Sequence, residues 1–122
     1  MKTWYEKAVF YHMYPLGMTG APHQNTKASP DHRFNQLDKW IPHICGLSCT
    51  AVYIGPLFES STHGYDTIDF KKVDCRLGSN NDFQAFVYKC HCSVMYFFQY
   101  LPLLFKPNLM QMVIGEDRLT KW

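Results

Sequence analysis

Two runs of β-forming residues about 40 residues apart, with one helical period between them, constrain this chain more than any other feature. The second run, Ser48–Ile54, is almost continuously apolar over Ala51-Val52-Tyr53-Ile54 and is stopped by Gly55-Pro56. A strand with one wet face would alternate; an unbroken apolar run is expected in a parallel sheet covered on both sides. The first run, Lys7–Met13, is rich in β-formers and stops at Pro15 and Gly17, which reads as another strand. Leu16–Asp31 carries Gly17, Gly20, Pro22 and Pro30 with little periodicity and reads as a loop.

Between the runs, Phe34, Leu37, Trp40, Ile41, Ile44 and Cys45 recur at steps of three and four, the spacing of one helical face. Asp31 is the expected N-cap and Gly46 marks the end. Pro42 falls inside this pattern, where it costs about 3 kcal/mol and predicts a kink or an early stop. Leu57 to Gly78 reads as a long loop holding a short extended piece at Asp69–Val73. Ser79 or Asn80 then caps a second helix with Phe83, Phe86, Val87 and Cys90 on one face. Asp82 in its first turn suits the positive end of the helix dipole. Strand, helix, strand, helix is the rhythm of a parallel α/β fold with right-handed crossovers.

Composition narrows what such a fold can do. At 122 residues, 47% hydrophobic and 18% charged, the chain is at most one globular domain. A net charge of +2 without a basic run gives no nucleic-acid footprint. The uncharged apolar stretch His91 to Phe105 is 15 residues and contains Pro102. It is shorter than the about 20 residues a membrane helix needs, so no membrane partner is expected. The segment Met1 to Lys7 has no apolar core of a signal peptide, which implies a cytoplasmic location.

Five cysteines are then expected as free buried thiols. His43, Cys45 and Cys49 with Cys90, His91 and Cys92 are the only set resembling zinc ligands. Zinc knuckles are flanked by turn residues, whereas Cys45 falls on the apolar helical face and Cys49 at a strand start, so no metal is assigned. No cofactor is implied by any motif.

Three segments carry a resemblance to a known family. They are Phe10-Tyr11-His12-Met13-Tyr14-Pro15-Leu16-Gly17; Leu47 through Ser60, with Thr50-Ala51-Val52-Tyr53-Ile54-Gly55-Pro56 at its centre; and Ser61-Thr62-His63-Gly64-Tyr65-Asp66-Thr67-Ile68-Asp69-Phe70 followed by Val73-Asp74-Cys75-Arg76-Leu77-Gly78. In this order they resemble the first strand, second strand and following loop of the α-amylase family, glycoside hydrolase family 13. With Asp82-Phe83 and His91 the match spans about residues 4 to 91.

The resemblance implies the first two βα units of a (β/α)8 (TIM) barrel. Its active site would lie at the C-terminal ends of the strands. It also implies a carbohydrate partner, an α-glucan or oligosaccharide. The tyrosine matching Tyr65 stacks on the sugar next to the scissile bond, as an aromatic face suits a ring's C–H surface. Tyr65, Asp66 and His63 are therefore the candidate substrate-binding residues. Asp66 also suits fixing its own loop by accepting backbone N–H bonds, and His63 suits a plain loop position.

After His91 the family continues with a third strand ending in an Asp and an Asn-His pair, the asparagine binding calcium, and its catalytic carboxylates come from later strands; that third-strand pattern is absent here. Cys92-Ser93-Val94-Met95-Tyr96-Phe97-Phe98-Gln99-Tyr100-Leu101-Pro102 has no Asp and no Asn-His pair. Residues 1–91 are thus expected to be the N-terminal portion of the barrel and 92–122 a divergent tail, with truncation or frameshift near Cys90 to Ser93. Val94–Tyr96 with Phe97-Phe98 fits either a makeshift third strand or a helix. Retaining glycosidases need two carboxyl groups about 5–5.5 Å apart. Glu59, Asp66, Asp69 and Asp74 are the nearest acids, and none matches a catalytic position. The expectation is a glycosidase-family chain without catalytic residues, inactive alone. The alternatives are a non-catalytic carbohydrate-binding or interaction remnant, or the product of a lapsed gene.

Overall fold

The computed structural model describes residues 4–26, 28–93 and 96–99. A 3-10 turn, Trp4–Lys7, leads into β1 (Phe10–Met13) and a single-turn helix α1 (Pro15–Met18). Two short helices follow, α2 (Phe34–Leu37) and α3 (Trp40–Gly46), then β2 (Ala51–Ile54). β3 (Phe58–Ser60), β4 (Thr67–Val73), α4 (Asn80–Cys92) and β5 (Tyr96–Gln99) complete the described elements.

β1, β2 and β5 form a parallel sheet in the order β1-β2-β5. Phe10 lies opposite Ala51 and Met13 opposite Ile54. Ala51 in turn faces Tyr96, and Ile54 faces Gln99. The pairing opens where Thr50 and Val9 bond each other, through Thr50 N to Val9 O (2.9 Å) and Val9 N to Thr50 Oγ1 (3.0 Å).

Alternation along these strands divides the sheet. Met13, Val52 and Ile54 enter the core with Phe34, Leu37, Ile41, Ile44, Phe86 and Cys90. Burying each large apolar side chain of this group stabilises the chain by about 1.5–3 kcal/mol. Phe10 and His12 on the opposite face are exposed, and the His12 ring lies 4.8 Å from that of Tyr53. A separate antiparallel hairpin, β3 with β4, stands beside the sheet.

Several expectations need correction. The first strand begins at Phe10, not Lys7, because Trp4–Lys7 coils into a 3-10 turn closed by Ala8 N to Tyr5 O. The second begins at Ala51, because Ser48 takes a left-handed turn (φ 61°) and Cys49 N still bonds Ile44 O.

The helical stretch breaks at Asp38-Lys39 rather than kinking at Pro42. The break puts Pro42 in the first turn of α3, where a missing N–H has no partner to lose. Asp31 is not the N-cap. Its N–H is drawn away to Cys75 O (2.8 Å), and the first N–H of α2, on Phe34, is satisfied by Leu77 O (3.1 Å). A tertiary contact thus replaces the cap. The expected loop after β1 contains α1, started by Pro15 at a favoured first-turn position. The loop after β2 holds all of β3 and β4.

Ser79 caps α4 with a full capping box: Asp82 N donates to Ser79 Oγ and Ser79 N donates to Asp82 Oδ2. The tail, open between strand and helix on sequence, supplies the parallel strand β5. Its residues 100–122 lie outside the described residues.

All five cysteines are free, but only Cys75 and Cys90 are buried; Cys45 and Cys92 are exposed and Cys49 is half-buried. Cys45 misses the apolar face because α3 turns Ile41 and Ile44 inward instead. Among the described residues no group of three or more His, Cys, Asp or Glu assembles into a metal-binding cluster. No described helix is long and apolar enough to cross a membrane.

Candidate functional site

The strands β1 and β2 run in the same direction, so the segments that leave them emerge along one edge of the sheet. Gly55 N to Met13 O (3.1 Å) ties the two exits together. From the first exit comes Tyr14, whose hydroxyl donates to the carbonyl of His63 at 2.9 Å. From the second comes the turn Thr62 to Asp66.

Gly64 is the pivot of that turn. It is buried with φ +100°, a region that disfavours side chains. A Cβ there would stand 2.5 Å from Pro56 Cγ and 3.1 Å from Leu16 Cδ1. Asp66 closes the turn from within: Oδ1 accepts from Gly64 N (3.1 Å) and Oδ2 from Thr62 Oγ1 (2.7 Å).

Partial desolvation raises the Asp66 pKa. The Thr62 hydroxyl, the backbone N–H bonds and nearby His63 outweigh it, and the carboxyl is held below its ordinary value. His63 Nδ1 accepts from Tyr65 N (3.1 Å) and lies 3.6 Å from Asp66 Oδ1. The outcome is a turn closed by the side chains of Asp66 and His63, with Tyr65 56% exposed. The His63 and Tyr65 rings lie 6.0 Å apart at 40°. The three candidate residues are therefore together, with His63 and Tyr65 exposed and Asp66 half-buried.

Beneath them sits a feature that the sequence reading missed. Arg76 is 1% exposed and Asp74 is fully buried. Arg76 Nε and Nη2 grip Asp74 Oδ1 and Oδ2 at 2.9 and 2.8 Å, a bidentate pair. Nη2 also donates to Ser60 Oγ (2.8 Å). Nη1 reaches three carbonyls, Pro22 (2.8 Å), His23 (3.0 Å) and Thr62 (2.6 Å). Asp74 Oδ2 also accepts from Ser60 N (3.1 Å) and Ser60 Oγ (2.8 Å).

The hydrogen bonds that Arg76 donates to Asp74 raise its pKa further, against the opposing effect of burial. An unpaired buried guanidinium would be costly, and this one has acceptors for all its donors.

Glu59 is committed likewise. Oε1 accepts from Asn25 Nδ2, while Oε2 accepts from Cys75 N (3.1 Å) and pairs with Lys72 Nζ (3.1 Å). Burial pushes the Cys75 thiol up, with the Lys72 ammonium pulling the other way. Asp69 Oδ1 accepts from Lys71 N. The four acids singled out on sequence thus each serve a loop or hairpin, and Glu59 and Asp74 are buried while doing so.

Comparison with known proteins places this geometry. The family model described as the α-amylase catalytic domain matches residues 34–100, more than half of the chain. The match extends past the sequence motifs and takes in β5. A probable α-glucosidase of Rhizobium meliloti (strain 1021) is 30% identical over 92 residues, covering 74% of this chain and 16% of its own length.

Among solved structures, the cyclic α-maltosyl-(1→6)-maltose hydrolase of Arthrobacter globiformis superposes with a TM-score of 0.62 at 26% identity, over 79% of this chain and 25% of that one. The trehalose-6-phosphate hydrolase of Bacillus licheniformis gives a TM-score of 0.64 at 21% identity, over 82% and 18%. The chain spans a small part of each relative's length. Matched over most of its residues by one family's catalytic domain, with that family's loop motif built as a fastened turn at the exit of parallel strands, the chain belongs to the α-amylase family, glycoside hydrolase family 13.

Proposed function

We propose that this chain forms the opening βα units of a (β/α)8 barrel and that its Tyr65 turn is part of the sugar-binding rim of an α-glucoside-cleaving protein. The observation that carries this reading is the exposure of Tyr65 on a turn fastened from within by Asp66 and His63 and from outside by Tyr14 and Arg76. An aromatic ring held outward by a fixed backbone offers stacking area at small entropic cost. His63 flanks that platform, and Asp66 serves it by holding the turn. The substrate class follows from relatives named as glucosidases and maltose-linked hydrolases.

Glycosyl transfer by the retaining route needs a nucleophile and an acid/base flanking the bond. Among the described residues Glu59, Asp66, Asp69 and Asp74 are engaged as structural acceptors, which supports a chain that binds without hydrolysing. The free thiols accord with a reducing, cytoplasmic setting.

The experiment is titration of the chain with maltoheptaose, followed by tyrosine fluorescence or NMR, beside an assay for released reducing ends. Saturable binding that weakens in Tyr65→Ala, without turnover, is the expected result. Turnover by the pure chain would overturn the inactivity, and no binding would overturn the rim.

A further inference from the structure

We infer that Arg76 is a positioning residue for the sugar-binding rim: through Nη1 it fastens the carbonyl of Thr62, and with it the Tyr65 turn, to the loop that follows β1. This rests on the sugar-binding reading for its purpose, though not for its geometry.

The argument starts from where the acceptors lie. Asp74 and Ser60 belong to the hairpin side of the molecule, Thr62 opens the turn, and Pro22 and His23 belong to the loop after α1. A single planar guanidinium therefore joins three stretches that share no backbone ladder. Its fork matches Asp74, which fixes the plane of the group and aims Nη1 at the three carbonyls.

Thr62 carries the constraint forward by its own hydroxyl, which donates to Asp66 Oδ2, while Asp66 Oδ1 holds Gly64 N. The path from Asp74 to the amide next to Tyr65 is thus hydrogen-bonded at every step. Asn25 reinforces the same junction, with Nδ2 on Ser60 O (2.8 Å) and its N–H on Ser61 O (2.9 Å). Arg76 itself is buried and touches no sugar. A lysine in its place keeps the charge beside Asp74 but is a point donor that cannot grip both carboxylate oxygens and also reach Thr62.

The test uses the labelled 122-residue chain. In the unmodified protein, the Arg76 Nη protons are expected as separate, slowly exchanging NMR signals, with a scalar coupling from Nη1 to the Thr62 carbonyl carbon. One averaged Nη signal would overturn the proposal without need of a variant.

In Arg76→Lys, amide exchange at Gly64 and Tyr65 should rise about tenfold while Val52 in β2 stays within about twofold. Maltoheptaose should bind about tenfold more weakly. Unchanged exchange at Gly64 and Tyr65 would also overturn it. Should Arg76→Lys unfold, shown by fast exchange at Val52 as well, the guanidinium signals of the unmodified chain decide. Absence of maltoheptaose binding in the unmodified chain defeats the sugar reading alone, since the exchange and coupling data still judge the tie between Arg76 and the turn.

Discussion

Gly64 lies so close to Pro56 that a methyl group on its α-carbon would stand 2.5 Å from the Pro56 Cγ atom. Leu16 blocks it from another side at 3.1 Å, and the backbone is already at φ +100°. Gly64→Ala combines overpacking with backbone strain, and should lower stability by about 2–4 kcal/mol. Urea unfolding followed by circular dichroism checks this; a loss under about 0.5 kcal/mol would show that the pocket yields.

Tyr65 makes the opposite case. It is 56% exposed and outside the core, so Tyr65→Ala should leave stability within about 0.5 kcal/mol of the unmodified chain. Sugar binding should still fall about tenfold, the scale of one lost aromatic platform. Calorimetry on the same preparation separates the two effects.

The capping box of α4 should be visible both by mutation and by pH. Ser79→Ala removes the acceptor for Asp82 N and should cost about 1 kcal/mol. The Ser79 backbone N–H lowers the Asp82 pKa most, with His32 helping and partial desolvation opposing. A carboxyl whose folded pKa is depressed contributes stability above its unfolded pKa, near 3.9, and loses it as pH falls through the folded value. Acid titration of α4 helicity below about pH 4 should therefore show a loss that Asp82→Asn abolishes.

Thiol reactivity should divide the cysteines. Burial pushes the Cys90 thiol up to about 12, with the Asp38 and Cys45 charges adding to the shift. Burial also raises Cys75. Since the thiolate is the nucleophile, both should resist iodoacetamide at neutral pH while the exposed Cys45 and Cys92 react. Peptide mapping after brief alkylation checks the order. Rapid labelling of Cys90 would mean that α4 opens easily from the sheet.

In the core, Phe86 is 1% exposed, with the Phe34 ring centroid 5.9 Å from its own. Phe86→Ala should cost about 3–5 kcal/mol, a large share of what a domain this size possesses. Thermal unfolding would register it as a drop well beyond that of Ser79→Ala.

What was legible in the sequence was what neighbours along the chain decide. Ser79 and Asp82 are three apart and announce α4 together, and Val52 to Ile54 needs only its own apolarity to be read as a strand. The turn at Gly64 was found because its residue types are distinctive. The hidden parts depend on distant partners.

β3 is three residues long, and its Glu59 is buried only because Asn25, Lys72 and the Cys75 amide meet it there. Arg76 and Asp74, two apart, look like ordinary surface charges. Their sole local hint is that Cys75 and Leu77 beside them are apolar. The break at Asp38-Lys39 is not legible because a proline in mid-pattern and a proline in a first turn look alike in sequence. β5 was ambiguous because an aromatic run without punctuation has no period of its own; pairing with β2 decides it.

The burial of Arg76 also governs the order in which this face can be assembled. Its acceptors lie as far as 54 positions away along the chain, so closing the junction costs loop entropy before any of it is repaid. A partly folded chain with one of those stretches still loose would strand a dehydrated cation, so half-finished versions are disfavoured. The two loops and the hairpin should snap into place as one late, all-or-none event rather than one after another.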